Sequence, residues 1–174
     1  MLSPGDLLQE RYRIQRPIKA GGMGAVFLAQ DTRLDSLCAV KEMHPTEDGW
    51  AHRRFREEAQ LLSQLHHSSI PCVRDYFVIE RPETALCYIV MDYVEGPTLQ
   101  QEFEMTEGRG LSEEVVRGDA LALLNILGYL HGLEPPVIHR DIKPSNLIRE
   151  EKTGRLFLVD FGLARPVTDQ TQTT

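Results

Sequence analysis

No stretch of this 174-residue sequence is apolar for long enough to cross a bilayer: the most apolar segment, Leu121 to Leu130, is interrupted by Asn125 and Gly128 and falls well short of the ~20 residues a span requires. Basic residues are in deficit, 19 Lys and Arg against 26 Asp and Glu, for a formal charge of −7. No global positive field is present to gather nucleic acid or anionic lipid, so any phosphate-bearing ligand must be held by a local constellation. Cysteine is scarce. Cys38, Cys72 and Cys87 are odd in number, widely spaced and set in apolar stretches, which argues for buried reduced thiols and against a disulfide framework or a zinc site. The N-terminal MLSPGDLLQERYRI has early acidic residues and no apolar run, so it reads as neither a secretory signal nor an Arg-rich transit peptide. These absences lead to the expectation of a cytoplasmic chain with no nucleic-acid partner and no membrane contact by this segment.

What is present is an ordinary globular balance, 41% hydrophobic and 26% charged, with both signs spread along the chain. From Tyr12 to Met43 the pattern predicts three short strands, Tyr12 to Ile18, Ala25 to Gln30 and Leu37 to Met43. Between Asp48 and Leu65 the period becomes helical, and Ala51, Phe55, Leu61, Leu62 and Leu65 fall on one face with Glu58 in its middle. A carboxylate turned toward a core is costly unless it meets a cation or several donors, so Glu58 predicts a buried partner. Cys72 to Glu80 and Leu86 to Tyr93 read as two more strands joined by a turn at 81–84, and Gly96-Pro97 as a lobe boundary. Ser112 is a good N-cap for a mostly apolar helix reaching about His131, and two short apolar runs follow at 146–148 and 156–159.

Four segments carry chemistry. IKAGGMGAVF, residues 18 to 27, is a glycine-rich turn whose backbone N–H groups could approach phosphate oxygens, although such a hairpin is more often only a turn. CAVK at 38 to 41 places Lys41 in a strand of small and apolar residues; a solvated face is the ordinary reading, and it weakens once Glu58 needs a cation. VIHRDIKPSNLI, residues 137 to 148, crowds a base (Asp141), a cation (Lys143) and a metal-binding amide (Asn146) between apolar runs, where they would do little for a core. LFLVDFGLA, 156 to 164, sets Asp160 at the end of an apolar strand, suited to a hard cation bridging phosphate oxygens or, taken alone, to a turn.

In set and order these motifs resemble the protein kinase family over essentially residues 12 to 165. The resemblance implies an α+β fold: a five-stranded antiparallel N-lobe with one main helix at 1–95, and an incomplete, mainly helical C-lobe at 96–174. It implies that Lys41 holds the α and β phosphates of ATP and pairs with Glu58, that Asp141 accepts the proton of the substrate hydroxyl, and that Lys143 steadies the transferring phosphoryl group. Asn146 and Asp160 would hold Mg²⁺, with Mn²⁺ as a substitute. The loop Ile18, Lys19, Ala20, Gly21, Gly22, Met23, Gly24, Ala25 and Val26 would cover the nucleotide; Ile18, Val26, Ala39 and Ile148 would sandwich adenine. Met91 would guard the rear of the pocket, and the backbone of Asp92 and Val94 would bond the base.

Lys143-Pro144 resembles serine/threonine kinases more than tyrosine kinases, so the implied partner besides ATP is a protein bearing Ser or Thr. GGMG in the loop looks most like the bacterial branch. Arg140 is similar to the residue that meets a phosphorylated activation segment, with Thr168, Thr171, Thr173 and Thr174 as candidate acceptors. Lys19 departs from the family by standing where the first loop glycine is expected. The sequence also ends before an APE motif and the later C-lobe helices, so it is expected to be a catalytic domain truncated after the DFG motif. The Ser112–His131 helix should then expose an apolar face that needs those helices or a partner. A non-catalytic nucleotide-binding remnant is the alternative, disfavoured by Lys41, Asp141, Asn146 and Asp160 all being intact.

Overall fold

The computed structural model describes residues 2–21, 24–43, 50–81, 84–107, 109–162 and 164–167. The chain divides into two compact units, Met1–Gln64 with Cys72–Tyr93, and Leu65–Pro71 with Val94–Thr174.

The first unit is a six-stranded antiparallel sheet in the order β1-β2-β3-β4-β6-β5, formed by β1 (Leu7–Leu8), β2 (Tyr12–Gly21), β3 (Gly24–Asp31), β4 (Ser36–Met43), β5 (Val73–Arg81) and β6 (Thr84–Asp92). Alternation along each strand gives the sheet two apolar faces. One buries Tyr12, Ile14, Phe27, Val40, Tyr88 and Val90. The other buries Cys87 and Ile89 against Phe55 and Ala59 of the helix α1 (Trp50–Gln64). Pro17 lies inside β2, where a missing N–H would break the ladder, and the pairing with β3 shifts register on either side of it. The helical face expected from the sequence is buried at Phe55, Leu61, Leu62 and Leu65, with Glu58 among them. The side chain of Ala51 lies outside the described residues, as do Pro82 and Glu83 of the predicted turn.

The second unit holds two helices, α2 (Leu99–Met105) and α3 (Glu113–His131), and short strands paired β7 (Val137–Ile138) with β10 (Arg165–Pro166) and β8 (Leu147–Arg149) with β9 (Leu156–Leu158). Thr98 and Gln101 form a capping box on α2, and the Ser112 hydroxyl accepts from Val115 N at the start of α3. Ile126 and Leu130, one turn apart, are the buried side chains of α3; Val115, Val116, Leu121 and Leu124 are exposed. Among the described residues no helix is long and apolar enough to cross a membrane.

Two expectations are corrected. The sheet has six strands, because Leu7 and Leu8 pair with Arg13 and Tyr12. Two residues are too few to show a period. Cys72 is exposed, whereas Cys38 and Cys87 are buried; Cys72 follows Pro71 at the entrance to β5 and its N–H donates to the Asp92 carboxylate at 3.1 Å. The division of the chain falls after Tyr93, and 65–71 belongs with the second unit. His66 N–H donates to Tyr129 Oη at 2.7 Å, and Leu158 N–H to Ser69 O at 3.0 Å.

Candidate functional site

In the first unit, β4 runs between β3 and β6, with Lys41 paired to Val26 on one side and Ile89 on the other. Cross-strand partners share a face, so Val26, Ala39, Lys41 and Met91 project from the same side of the sheet. Lys19 pairs with Val26 and joins that side. Lys41 Nζ donates to Glu58 Oε1 at 2.6 Å, with Glu58 only 3% exposed. The cation demanded by the helical face is therefore Lys41. Ile18 is largely exposed, Val26 and Met91 are half-buried and Ala39 is buried. Ala25 turns its methyl into the core beside Phe27 and Val40. Gly24 has φ +149°, and a Cβ there would lie 2.1 Å from Glu42 O, so this glycine also serves the close approach of β3 to β4. Ala20 and Gly21 end β2; Gly22 and Met23 lie outside the described residues. The Asp92 carboxylate accepts from Arg74 Nε at 2.7 Å and its N–H donates to Cys72 O at 3.0 Å.

In the second unit, a loop from β7 to a 3-10 turn at Pro144–Asn146 carries the polar cluster. Lys143 Nζ donates to Asp141 Oδ2 at 2.7 Å. Asn146 is fully buried; its Nδ2 donates to Asp141 Oδ2 at 2.9 Å and to Asp141 O at 3.0 Å. The Lys143 ammonium, reinforced by the Asn146 amide, holds the Asp141 carboxyl below its ordinary range, and Asp141 in turn raises Lys143. Asp141 is thus ionised at neutral pH and fixed in orientation. Val94 is buried and Ile148 half-buried. Asp160 follows Val159, whose N–H donates to Asn146 O at 2.9 Å. Asp160 (φ +65°) and Arg140 (φ +66°) both occupy the left-handed region that disfavours non-glycine residues, a strain found at functional sites.

Asn146 Oδ1 is the observation that bears on a metal. It is buried with no hydrogen-bond partner among the described residues, while the amide nitrogen of the same group is doubly engaged. Buried polar atoms are rarely orphaned, and an amide oxygen of this kind suits a hard cation. Among the described residues no group of three or more His, Cys, Asp and Glu could cage a metal by itself. Mg²⁺ needs none, since it binds through one or two carboxylates plus phosphates and water. The residues fit such an ion.

His139 is a buried link between the two motifs that the sequence does not single out. Its Nδ1 accepts from Asp141 N–H at 3.3 Å, which leaves the proton on Nε2 to donate to Val159 O at 3.2 Å. One ring therefore ties the loop of Asp141 to the residue before Asp160. Burial pushes its pKa down and favours this neutral form, and its ring packs edge-on to Phe161 at 4.7 Å. A histidine two residues before the aspartate, in an apolar run, was the available signal. Thr168, Thr171, Thr173 and Thr174 lie outside the described residues.

The family model described as "Protein kinase domain" matches residues 12–174. The chain is similar to "Serine/threonine-protein kinase C" of Synechocystis sp., 35% identical over 95% of this chain and 31% of that protein. It is similar to "Serine/threonine-protein kinase PknA" of Nostoc sp., 35% identical over 92% of the chain and 28% of that protein. It is 38% identical to "Serine/threonine-protein kinase PknB" of Mycobacterium tuberculosis over 97% of the chain and 26% of that protein. The chain thus spans about a third or less of the length of these curated relatives.

Proposed function

The chain belongs to the protein kinase family, serine/threonine type, and from that premise we propose that it holds Mg²⁺-ATP for transfer of the γ-phosphoryl group to Ser or Thr of a protein. The observation that carries the reading is the Asp141–Lys143–Asn146 cluster, with an ionised carboxylate and an orphaned amide oxygen on one loop. Lys41, held by Glu58, serves the α and β phosphates. Asn146 and Asp160 would hold the metal, which when bound would supply positive charge to offset that of the phosphates. In the transfer, the bond from the γ-phosphorus to the ADP oxygen breaks as one to the substrate oxygen forms. The hydroxyl proton passes to Asp141, and Lys143 balances charge on the phosphoryl oxygens.

The remaining assignments complete the proposal. The first unit serves as nucleotide lobe, with the loop at 18–26 over the phosphates and Val26, Ala39 and Met91 beside the base. Ile18 and Ile148 complete the apolar contacts; Val94 meets the base through its backbone, and Asp92 through its carbonyl, since its N–H is engaged by Cys72. The location is the cytoplasm, where ATP is available.

The test is transfer of radiolabel from γ-labelled ATP with Mg²⁺ to a Ser- and Thr-bearing protein, by the native chain and by Asp141→Ala. Label transferred by the first and lost in the second supports the reading. Nucleotide binding with no transfer by either would replace the enzyme by a nucleotide-binding remnant.

A further inference from the structure

We infer that Arg149 is a positioning residue for the proposed nucleotide site: its double ion pair with Glu102 of α2 and Asp119 of α3 fixes the register of β8, which follows Asn146 and carries Ile148. The inference rests on the kinase reading. Arg149 Nε and Nη2 donate to Glu102 Oε1 and Oε2 at 2.7 and 3.1 Å, and Nη1 and Nη2 to Asp119 Oδ1 and Oδ2 at 2.9 and 2.8 Å. Both contacts are two-pronged, the geometry that only a guanidinium supplies. The three side chains are no more than 25% exposed, so solvent screens them little.

β8 needs such an anchor. It pairs with β9 through three residues, Leu147 with Leu158, Ile148 with Phe157 and Arg149 with Leu156. Its other edge is held, among the described residues, only by the bridge of Thr98 to Ile148 and by Arg149 N–H donating to Pro97 O at 3.0 Å, so the strand is short on both sides and marginal by itself. Strand alternation sends Leu147 and Arg149 to one face and Ile148 to the other. A slip of one residue would exchange the faces, moving Ile148 away from the base and displacing the turn that presents Asn146. A guanidinium locked to two helices forbids the slip, because its displacement would strand two carboxylates. Stability alone does not account for the arrangement. One cation faces two anions, and apolar side chains in place of a buried ion cluster are often as stable or more so.

The full chain is tested as Arg149→Lys, which keeps the charge and loses the fork, and as the charge-free triple Glu102→Gln, Asp119→Asn, Arg149→Met. The measurements are melting without nucleotide, and affinity for a fluorescent ATP analogue across a Mg²⁺ titration. The expected result is about a tenfold loss of Mg²⁺-nucleotide affinity in both variants, including the triple that melts as the native chain does. Affinity within twofold of the native chain in whichever variants fold would overturn the inference and leave the trio a purely structural cluster. Should the native chain bind no nucleotide, the kinase reading fails first. Amide exchange at 147–149 in Arg149→Lys then decides register, faster exchange supporting the anchor and unchanged exchange overturning it.

Discussion

A carboxylate at position 58, almost wholly buried, is costly without a cation, and the ammonium of Lys41 supplies one at 2.6 Å. Lys41→Met is expected to lower unfolding free energy by about 3 kcal/mol, whereas Lys41→Met with Glu58→Leu should recover most of that loss. Phosphoryl transfer should stay abolished in both. Urea denaturation beside a transfer assay checks this, and a double variant no more stable than the single would show that the pair is not the source of the cost. Legibility at this scale divides along the same line. Glu58 could be read as needing a cation because it interrupts an apolar face within one helix. His139 and Arg149 could not, because their partners lie far along the chain: Val159 is 20 residues from His139, and Glu102 and Asp119 are 47 and 30 residues from Arg149.

Among the elements, β8 is bonded along both edges. β9 occupies one; on the other Arg149 N–H donates to Pro97 O at 3.0 Å, Glu151 N–H to Glu95 O at 2.9 Å, and Thr98 bridges Ile148. Gly96 makes this approach possible, with φ +151° and space so tight that a Cβ would lie 1.9 Å from Arg149 O. Gly96→Ala is expected to cost more than about 1 kcal/mol, seen as a lowered urea midpoint. A midpoint equal to the native one would mean that 95–98 can move off the strand freely. The long elements were legible because their signals persist: the buried positions of α1 recur on one face from Phe55 to Leu62, and β3 to β6 are runs of eight or nine residues each. The two-residue strands β1, β7 and β10 were not, since they exist only through partners.

For the molecule as a whole, acid sensitivity has an identifiable source outside the Asp141–Lys143–Asn146 cluster. Asp31 is wholly buried, accepts from Arg11 Nε at 2.9 Å and Nη2 at 2.7 Å, and is pulled by that guanidinium from 3.8 to about 2. A folded-state value below the unfolded one means stability that is full above about pH 4 and lost as pH falls through about 2. The melting difference between the native chain and Asp31→Asn should therefore narrow between pH 5 and pH 2; a constant gap would assign the effect to packing.

The positive φ of Asp160 has an evolutionary corollary. Glycine takes that backbone without strain, and each such outlier carries on the order of 1 kcal/mol. If Asp160 holds the metal as proposed, position 160 is a place where folding and chemistry pull in opposite directions: Asp160→Gly should melt no lower than the parent while losing the proposed metal-dependent reaction. A library selected for heat resistance alone would drift toward inert descendants at this residue, and only a screen that also demands turnover would retain the acid.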